Sequence, residues 1–137
     1  MNTRQLTRAE RRKIRTHEAL KQSAMMLFME HGYDQLTIKA ITDHADLGYG
    51  TFYLHFESKD DIVWAVLEEW LEVETEATNQ RVLHLEHPVR EYVSWIHYFE
   101  DLRERGQMFI MLFGKNGSAT LYQNMIDYLA RLHKRNL

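Results

Sequence analysis

Apolar residues recur every three or four positions along most of this chain, the spacing that places them on one face of a helix. The pattern predicts about seven helices, in chain order over about 8–31, 37–45, 48–55, 59–80, 88–105, 108–113 and 118–134. Thr7 and Glu10 form a capping box at the start of the first helix, and Gly32 is a natural stop for it. Only the 108–113 run is short enough to leave a strand open, so an all-α fold is predicted.

Composition narrows the class of protein. The 137 residues, 45% of them hydrophobic, suffice for one domain or for two small ones with a shared core. No apolar run approaches the roughly 18 residues of a membrane span, and nothing resembles a signal peptide, so we expect a cytoplasmic protein without a membrane partner. The chain has no cysteine, no nucleophile–histidine set at catalytic spacing and no phosphate-binding glycine loop. We therefore predict no enzyme activity, no cofactor and no metal site.

Charge is distributed unevenly, although the net charge is only −3. Residues 1–21 hold seven basic and two acidic side chains, whereas residues 61–137 hold eight basic and twelve acidic ones. A basic end on an acidic body indicates a polyanionic partner at that end. Two interpretations of the Arg8–Arg15 run stay open: a flexible arm that grips nucleic acid, and a solvated helix start.

The two short helices suggest how such a partner would be bound. Two short helices joined by a tight turn behind a capped support helix describe a helix-turn-helix. The first would brace against the DNA backbone, while the second is narrow enough to enter the major groove with its N-terminal side chains at base edges. The spacing alone is a moderate signal, because any pair of antiparallel helices has it.

The residues in this region resemble a known family. Residues 37–59 look like the DNA-binding signature of the TetR (tetracycline repressor) family, above all the run Gly50–Phe56 (GTFYLHF) followed by Ser58 and Lys59. The preceding helix also fits, and the resemblance covers about 50 residues. It implies an N-terminal helix-turn-helix domain over 1–58 and a helical effector-binding and dimerisation domain over 59–137.

The resemblance also implies a set of DNA-binding residues. Backbone phosphate would be contacted by Thr37, Lys39, Tyr53 and Lys59, base edges by Tyr49, Gly50 and Thr51, and the backbone nearby by Gly48 and His55. Each has a structural alternative: Tyr53 as a half-buried core aromatic, Lys39 as a solvated charge and His55 as a structural histidine. Lys59 lies in the first turn of a helix, where a cation opposes the helix dipole, so an outside anion would explain it.

The sequence departs from the family pattern at three positions near the turn. The family usually has Ala at Thr42, Gly at Asp46, and Ser or Thr at Gly48. Aspartate tolerates the left-handed conformation better than most residues, so the turn can persist. Gly48 can cap a helix but has no hydroxyl for a phosphate.

The second half of the chain is rich in aromatic and methionine side chains. Such residues can enclose a hydrophobic or aromatic effector, although a plain packed core with a dimer face is the alternative. The residues chosen for an effector pocket are Trp64, Trp95, Phe99, Phe109 and Phe113.

Together these observations predict a ligand-responsive regulator, a repressor in the first instance, that binds a palindromic operator as a homodimer. The alternative is a protein–protein interaction module of the same fold without specific DNA binding. Members of this family are typically longer and use two further helices for dimerisation. We therefore expect a C-terminally truncated chain, in which the last two long helices keep an apolar face uncovered.

Overall fold

The computed structural model describes residues 4–114 and 117–135, which are helical or lie in turns and loops, without a strand among them. Seven helices follow one another in this described part: α1 (Arg8–His31), α2 (Ile38–His44), α3 (Tyr49–Phe52), α4 (Lys59–Val82), α5 (Val89–Glu104), α6 (Gly106–Phe113) and α7 (Ala119–Arg135). The predicted all-α fold is confirmed, and the ambiguous 108–113 run is helix. The chain forms two compact units, residues 1–66 and 67–137.

The predicted ends of α1 are confirmed. The Thr7 hydroxyl accepts a hydrogen bond from the backbone N–H of Glu10 at 3.1 Å, and the Glu10 carboxylate accepts one from the backbone N–H of Thr7 at 2.7 Å. At the other end Gly32 has a φ of 80° and donates its N–H to the carbonyl of Phe28 at 2.8 Å. Glycine reaches this φ without a Cβ clash, so the helix stops there.

The core of the first unit draws side chains from each of its helices. Leu20, Ile41, Phe52 and Ile62 are fully buried and come from α1, α2, α3 and α4 respectively. Full burial of an aliphatic or phenylalanine side chain contributes about 1.5–3 kcal/mol. The two short helices are therefore held by the core rather than by their own hydrogen bonds.

The turn between α2 and α3 contains the one non-glycine residue with positive φ among the described residues, Asp46 at 55°. The position at which the family usually has glycine is thus occupied by an aspartate in the left-handed region, as the sequence predicts. Thr42 is fully buried, and its hydroxyl donates to the carbonyls of Ile38 and Lys39 at 3.1 Å each. A hydroxyl replaces the family's alanine there without leaving an unpaired polar atom.

Helix α3 is shorter than predicted. It spans four residues, whereas the sequence predicts helix over about 48–55. The N–H groups of Leu54 and His55 donate to carbonyls only three residues back, at 3.2 and 2.9 Å. This tighter bonding turns the chain out of the α-helix after Phe52.

The second unit has its own core. Val82, Leu112, Leu121 and Met125 are buried there, and the hydroxyls of Thr75 and Tyr128 lie 3.1 Å apart across α4 and α7. Apolar side chains nevertheless remain exposed on α5 and α7, as expected from the sequence: Val89, Tyr92, Trp95, Ile96, Phe99, Tyr122 and Ile126. No described helix is both long and apolar enough to cross a membrane.

The backbone at Asp46 provides a stability test. We expect Asp46→Val to lower the free energy of unfolding by about 1–2 kcal/mol, because a β-branched residue resists positive φ. Asp46→Gly should match or exceed the parent, because glycine meets no steric penalty there. Urea unfolding followed by circular dichroism measures both.

Asp43→Val is the matched control, since Asp43 is an exposed aspartate in the regular backbone of α2. If Asp43→Val lowered the free energy of unfolding as much as Asp46→Val, the positive φ of Asp46 would not be the cause of the effect.

Candidate nucleic-acid interface

Two tyrosines form the most exposed aromatic surface of the first unit. Tyr49 and Tyr53 are 54% and 51% exposed, lie one turn apart, and have hydroxyls 3.2 Å apart. Phe52 and Phe56 lie in the core beneath them, with ring centroids 5.8 Å apart. The hydrogen bond from Tyr49 and partial desolvation raise the pKa of Tyr53, so the Tyr53 phenol remains a neutral hydrogen-bonding group at physiological pH.

The two glycines at the start of α3 leave open space beside the backbone. A Cβ placed on Gly50 would meet no atom within 4 Å, and one on Gly48 would meet only the Thr51 hydroxyl at 3.8 Å. Gly48 is the N-cap of α3 and makes no side-chain capping bond. Thr51 is half-buried. Glycines at this surface allow a close approach of another molecule to the backbone.

Thr37 and Lys39 lie at the start of α2. The Thr37 hydroxyl caps the helix by accepting from the N–H of Ala40 at 3.1 Å, and the residue is exposed. The Lys39 ammonium pairs with the Asp43 carboxylate one turn later, and its side chain is 75% exposed. An exposed ion pair of this kind is weak, so the ammonium can exchange Asp43 for another anion.

His55 connects the end of the α3 region to α1. Its Nδ1 lies 3.3 Å from Nδ1 of His17, whose ring stacks on Phe56 at a centroid distance of 4.7 Å. Partial burial, together with the charges of His17 and Lys13, lowers the pKa of His55. These contacts favour the structural interpretation of His55. His17 was missed by the sequence analysis, since no local pattern links residues 38 positions apart.

Lys59 has an internal explanation that the sequence did not show. Its ammonium donates to the carbonyl of Tyr33 at 2.8 Å and lies 3.9 Å from the centroid of the Tyr33 ring. Partial burial lowers the pKa of Lys59, while the carboxylates of Asp60 and Asp34 oppose that shift. The contact with Tyr33 therefore explains the place of this cation in a first turn without an outside anion, and the phosphate role of Lys59 stays a prediction.

The basic run near the N-terminus is helical. Residues 8–15 belong to α1, and all five of their basic side chains are exposed: Arg8, Arg11, Arg12, Lys13 and Arg15. Arg11 also donates to the carbonyl of Leu6 at 2.7 Å. The run is therefore a solvated, positively charged helix start rather than a flexible arm.

The structure places the five residues chosen for an effector pocket in different surroundings. Trp64 belongs to the first unit and the other four to the second. Trp95 lines an open hollow of about 160 Å³ between α4, α5 and α7, whereas Phe109 lines a much smaller one of about 20 Å³. Phe113 packs its ring 5.8 Å from that of Phe109, and Phe99 is 65% exposed.

Comparison with known proteins points to one family. A family model described as "Bacterial regulatory proteins, tetR family" matches residues 21–66. The chain is similar to the HTH-type transcriptional regulator HbdR of Aromatoleum sp. (strain CIB), with 33% identity over 75 residues, which are 55% of this chain and 32% of that protein. It is also similar to the transposon Tn10 TetC protein of Escherichia coli, with 31% identity over 71 residues, which are 47% of this chain and 36% of that protein. The chain spans about a third of the length of these curated relatives.

A solved structure shares the fold. The fatty acid degradation regulator FadR from Bacillus halodurans superimposes with a TM-score of 0.59 and 18% sequence identity, covering 87% of this chain and 65% of that one. At this identity the likeness concerns the fold alone.

The contact between His17 and His55 predicts a pH dependence of stability. Because the folded-state pKa of His55 lies below its ordinary value of 6.5, folding favours the neutral imidazole. The stabilisation is complete above that ordinary value and is lost as the pH falls through the folded-state pKa. We expect the urea midpoint to decline between about pH 7 and pH 5, and His55→Gln to reduce the decline.

His84→Gln serves as the control, since it removes an exposed histidine of the second unit. An unchanged pH profile in His55→Gln would show that the His17–His55 contact does not couple protonation to folding.

Proposed function

We propose that this chain is a DNA-binding transcriptional regulator of the tetR family that presents α3 to the major groove, because the tetR family model matches residues 21–66 and the relatives HbdR and TetC are 33% and 31% identical to about half of the chain. The observation that carries this proposal is the surface formed by Tyr49, Gly50 and Tyr53, which is exposed while Phe52 holds the same helical turn in the core. Two adjacent aromatic rings that are exposed together form an apolar patch of the kind that marks an interaction site.

The roles of individual residues follow from their exposure. Tyr49, Gly50 and Thr51 face the bases, since they occupy the first turn of the helix that would enter the groove. Tyr53 and Lys39 contact phosphate through an exposed hydroxyl and an exposed ammonium. Thr37 and Gly48 supply further phosphate contacts from the exposed starts of α2 and α3, whereas His55 and Lys59 position the α3 region through their contacts with His17 and Tyr33.

The charge of α1 supports the same partner. Its exposed basic start lies in the same compact unit as α3, and the acidic excess belongs to residues 61–137. Lysine and arginine near a duplex release condensed counterions, which supplies most of the sequence-independent affinity. A bacterial regulator that binds chromosomal DNA acts in the cytoplasm, so we propose a cytoplasmic location.

The regulator acts as a homodimer on a palindromic operator, with half-sites about one helical turn apart. The exposed apolar row on α5, with Val89, Tyr92, Ile96 and Phe99 on one stripe, supports association with a second copy. Residues 59–137 form the effector-binding and dimerisation domain. An effector changes the affinity of the protein for DNA to the extent that it binds the DNA-bound and the DNA-free conformations with different affinities. We propose repression as the outcome of operator binding.

The phosphate role of Lys39 is testable with a matched lysine pair. Lys39→Ala should weaken binding to specific and non-specific duplexes alike, and should reduce the slope of log affinity against log salt by about one unit. Lys134→Ala, an exposed lysine of α7, should leave both unchanged. Fluorescence anisotropy with a duplex selected from a random pool provides the measurement.

Absence of duplex binding by the parent chain at about 50 mM salt would refute the proposal. The protein–protein interaction module would then account for the fold.

The base-reading role of α3 makes a different prediction. Tyr49→Ala or Thr51→Ala should change the sequence selected from a random duplex pool, with a cost of about 1–3 kcal/mol on the parent site. Non-specific affinity and the salt slope should stay as in the parent, because neither residue carries a charge. Selection followed by sequencing distinguishes this from a uniform loss, which would assign both residues to phosphate contact or to folding.

A further inference from the structure

A hollow in the second unit, bounded by α4, α5 and α7, is large enough for a small ligand. Its volume is about 160 Å³, and it is partly open to solvent. A protein cavity of about 150 Å³ can hold one benzene molecule, so this hollow has room for roughly six to eight non-hydrogen atoms. Helix α4 lines it with hydroxyl and amide groups, α5 with a carboxylate and aromatic rings, and α7 with an aliphatic and an imidazole side chain.

Glu91 gives this hollow a negative charge. Its Oε2 lies 2.9 Å from Nδ1 of His87, and the hydrogen bond from His87 lowers the pKa of Glu91, so the carboxylate is ionised at neutral pH. A neutral imidazole can donate that hydrogen bond and leave the negative charge uncancelled. Of the described residues that line the hollow, none is a lysine or an arginine, and only His133, which is exposed, can become cationic. The hollow therefore favours a cation over an anion.

Aromatic rings stand beside this carboxylate. Trp95 follows Glu91 by one turn of α5, which places both side chains on the same face of the helix. The Trp95 ring lies 6.1 Å, between centroids, from the ring of Tyr98, which lines the hollow as well. The face of an indole ring attracts a cation, and a neighbouring carboxylate adds a charge-assisted hydrogen bond. An ammonium group can use both, because it carries a positive charge and three N–H donors.

Thr78 adds a hydroxyl that the fold leaves for a ligand. The residue is only 5% exposed and lines the hollow, yet its hydroxyl makes no hydrogen bond with another described residue. Buried hydroxyls are normally paired. Thr75, one turn earlier on α4, differs in this respect, because its hydroxyl lies 3.1 Å from that of Tyr128 and also hydrogen-bonds Tyr98. An N–H donor in the hollow would give the Thr78 oxygen a partner.

We propose that this hollow binds a small primary amine in its ammonium form, with the ammonium group against Glu91 and the face of Trp95. The ring or short chain of the amine fills the remaining space beside Tyr98 and Leu132, which supply the apolar part of the lining. The volume limits this ligand to about the size of one substituted benzene ring. Its role as an effector rests on the proposed DNA-binding function, whereas its binding does not.

Isothermal titration calorimetry of the full chain at neutral pH tests the binding with probes of similar shape and different charge. Benzylamine is the cationic probe, benzyl alcohol the neutral one and benzoate the anionic one. We expect one-to-one binding of benzylamine that is at least about tenfold tighter than binding of either other probe. Benzyl alcohol or benzoate that binds as tightly as benzylamine, or absence of benzylamine binding, would overturn the proposal.

Nuclear magnetic resonance signals of the indole N–H groups locate the bound amine. The chain has three tryptophans, and Trp95 is the one that lines this hollow. Benzylamine should shift the Trp95 signal, which is identified by its loss in Trp95→Phe. A larger shift at Trp64 or Trp70 than at Trp95 would place the amine elsewhere and refute the site.

Substitution of Glu91 separates charge recognition from general destabilisation. Glu91→Gln should weaken benzylamine binding about tenfold and leave benzyl alcohol binding unchanged, because it removes the charge and keeps the shape of the side chain. Glu100→Gln changes an exposed carboxylate of the same helix that does not line the hollow, and should alter neither affinity. Equal weakening of both probes by Glu91→Gln would assign Glu91 a structural role and overturn the proposal.

Duplex binding measured with and without benzylamine distinguishes this proposal from the proposed function. A change in duplex affinity that Glu91→Gln abolishes supports the effector role. Duplex binding that benzylamine leaves unchanged, despite calorimetric binding, refutes that role alone. Failure of duplex binding with intact benzylamine binding refutes the DNA-binding function and leaves the ligand site in place.

Discussion

The full burial of Phe52 is the constraint on which the candidate interface depends. A helix of four residues is far too short to be stable by its own hydrogen bonds, so tertiary packing has to hold it. Phe52 and Phe56 supply that packing from the inner side of the chain, and Tyr49 and Tyr53 are turned outward as a consequence. The same helical turn thus places Phe52 in the core and the rings of Tyr49 and Tyr53 on the surface.

Contacts between distant residues then fix the surroundings of that turn. The His17–His55 contact connects its end to α1, and Lys59 binds the ring and carbonyl of Tyr33. Both contacts use residues that, in isolation, look suited to DNA. Part of the segment that resembles a DNA-binding signature therefore holds the α3 region in place, while Tyr49 and Lys39 stay largely exposed.

The second unit is held together by contacts between helices that lie far apart in the sequence. Thr75 and Tyr128 pair their hydroxyls across α4 and α7. Arg105 places its guanidinium over the Trp70 ring and near the Glu74 carboxylate, which attaches the junction of α5 and α6 to α4.

Sequence alone determined the elements of this protein. The start of α1 at Thr7 and its end at Gly32 depend on groups within four residues of each position, and the tolerance of Asp46 for positive φ depends on that residue itself. Periodicity and capping rules describe interactions over such short distances along the chain. The sequence did not predict the early end of α3, because two hydrogen bonds to carbonyls three residues back replace the regular α-helical pattern there. Only the tertiary structure decided which of the chosen residues act together: it gave Lys59 an internal partner, placed Trp64 and Trp95 in different units, and joined Arg105 to Trp70. Such pairings depend on how helices pack, and no spacing along the chain encodes that directly.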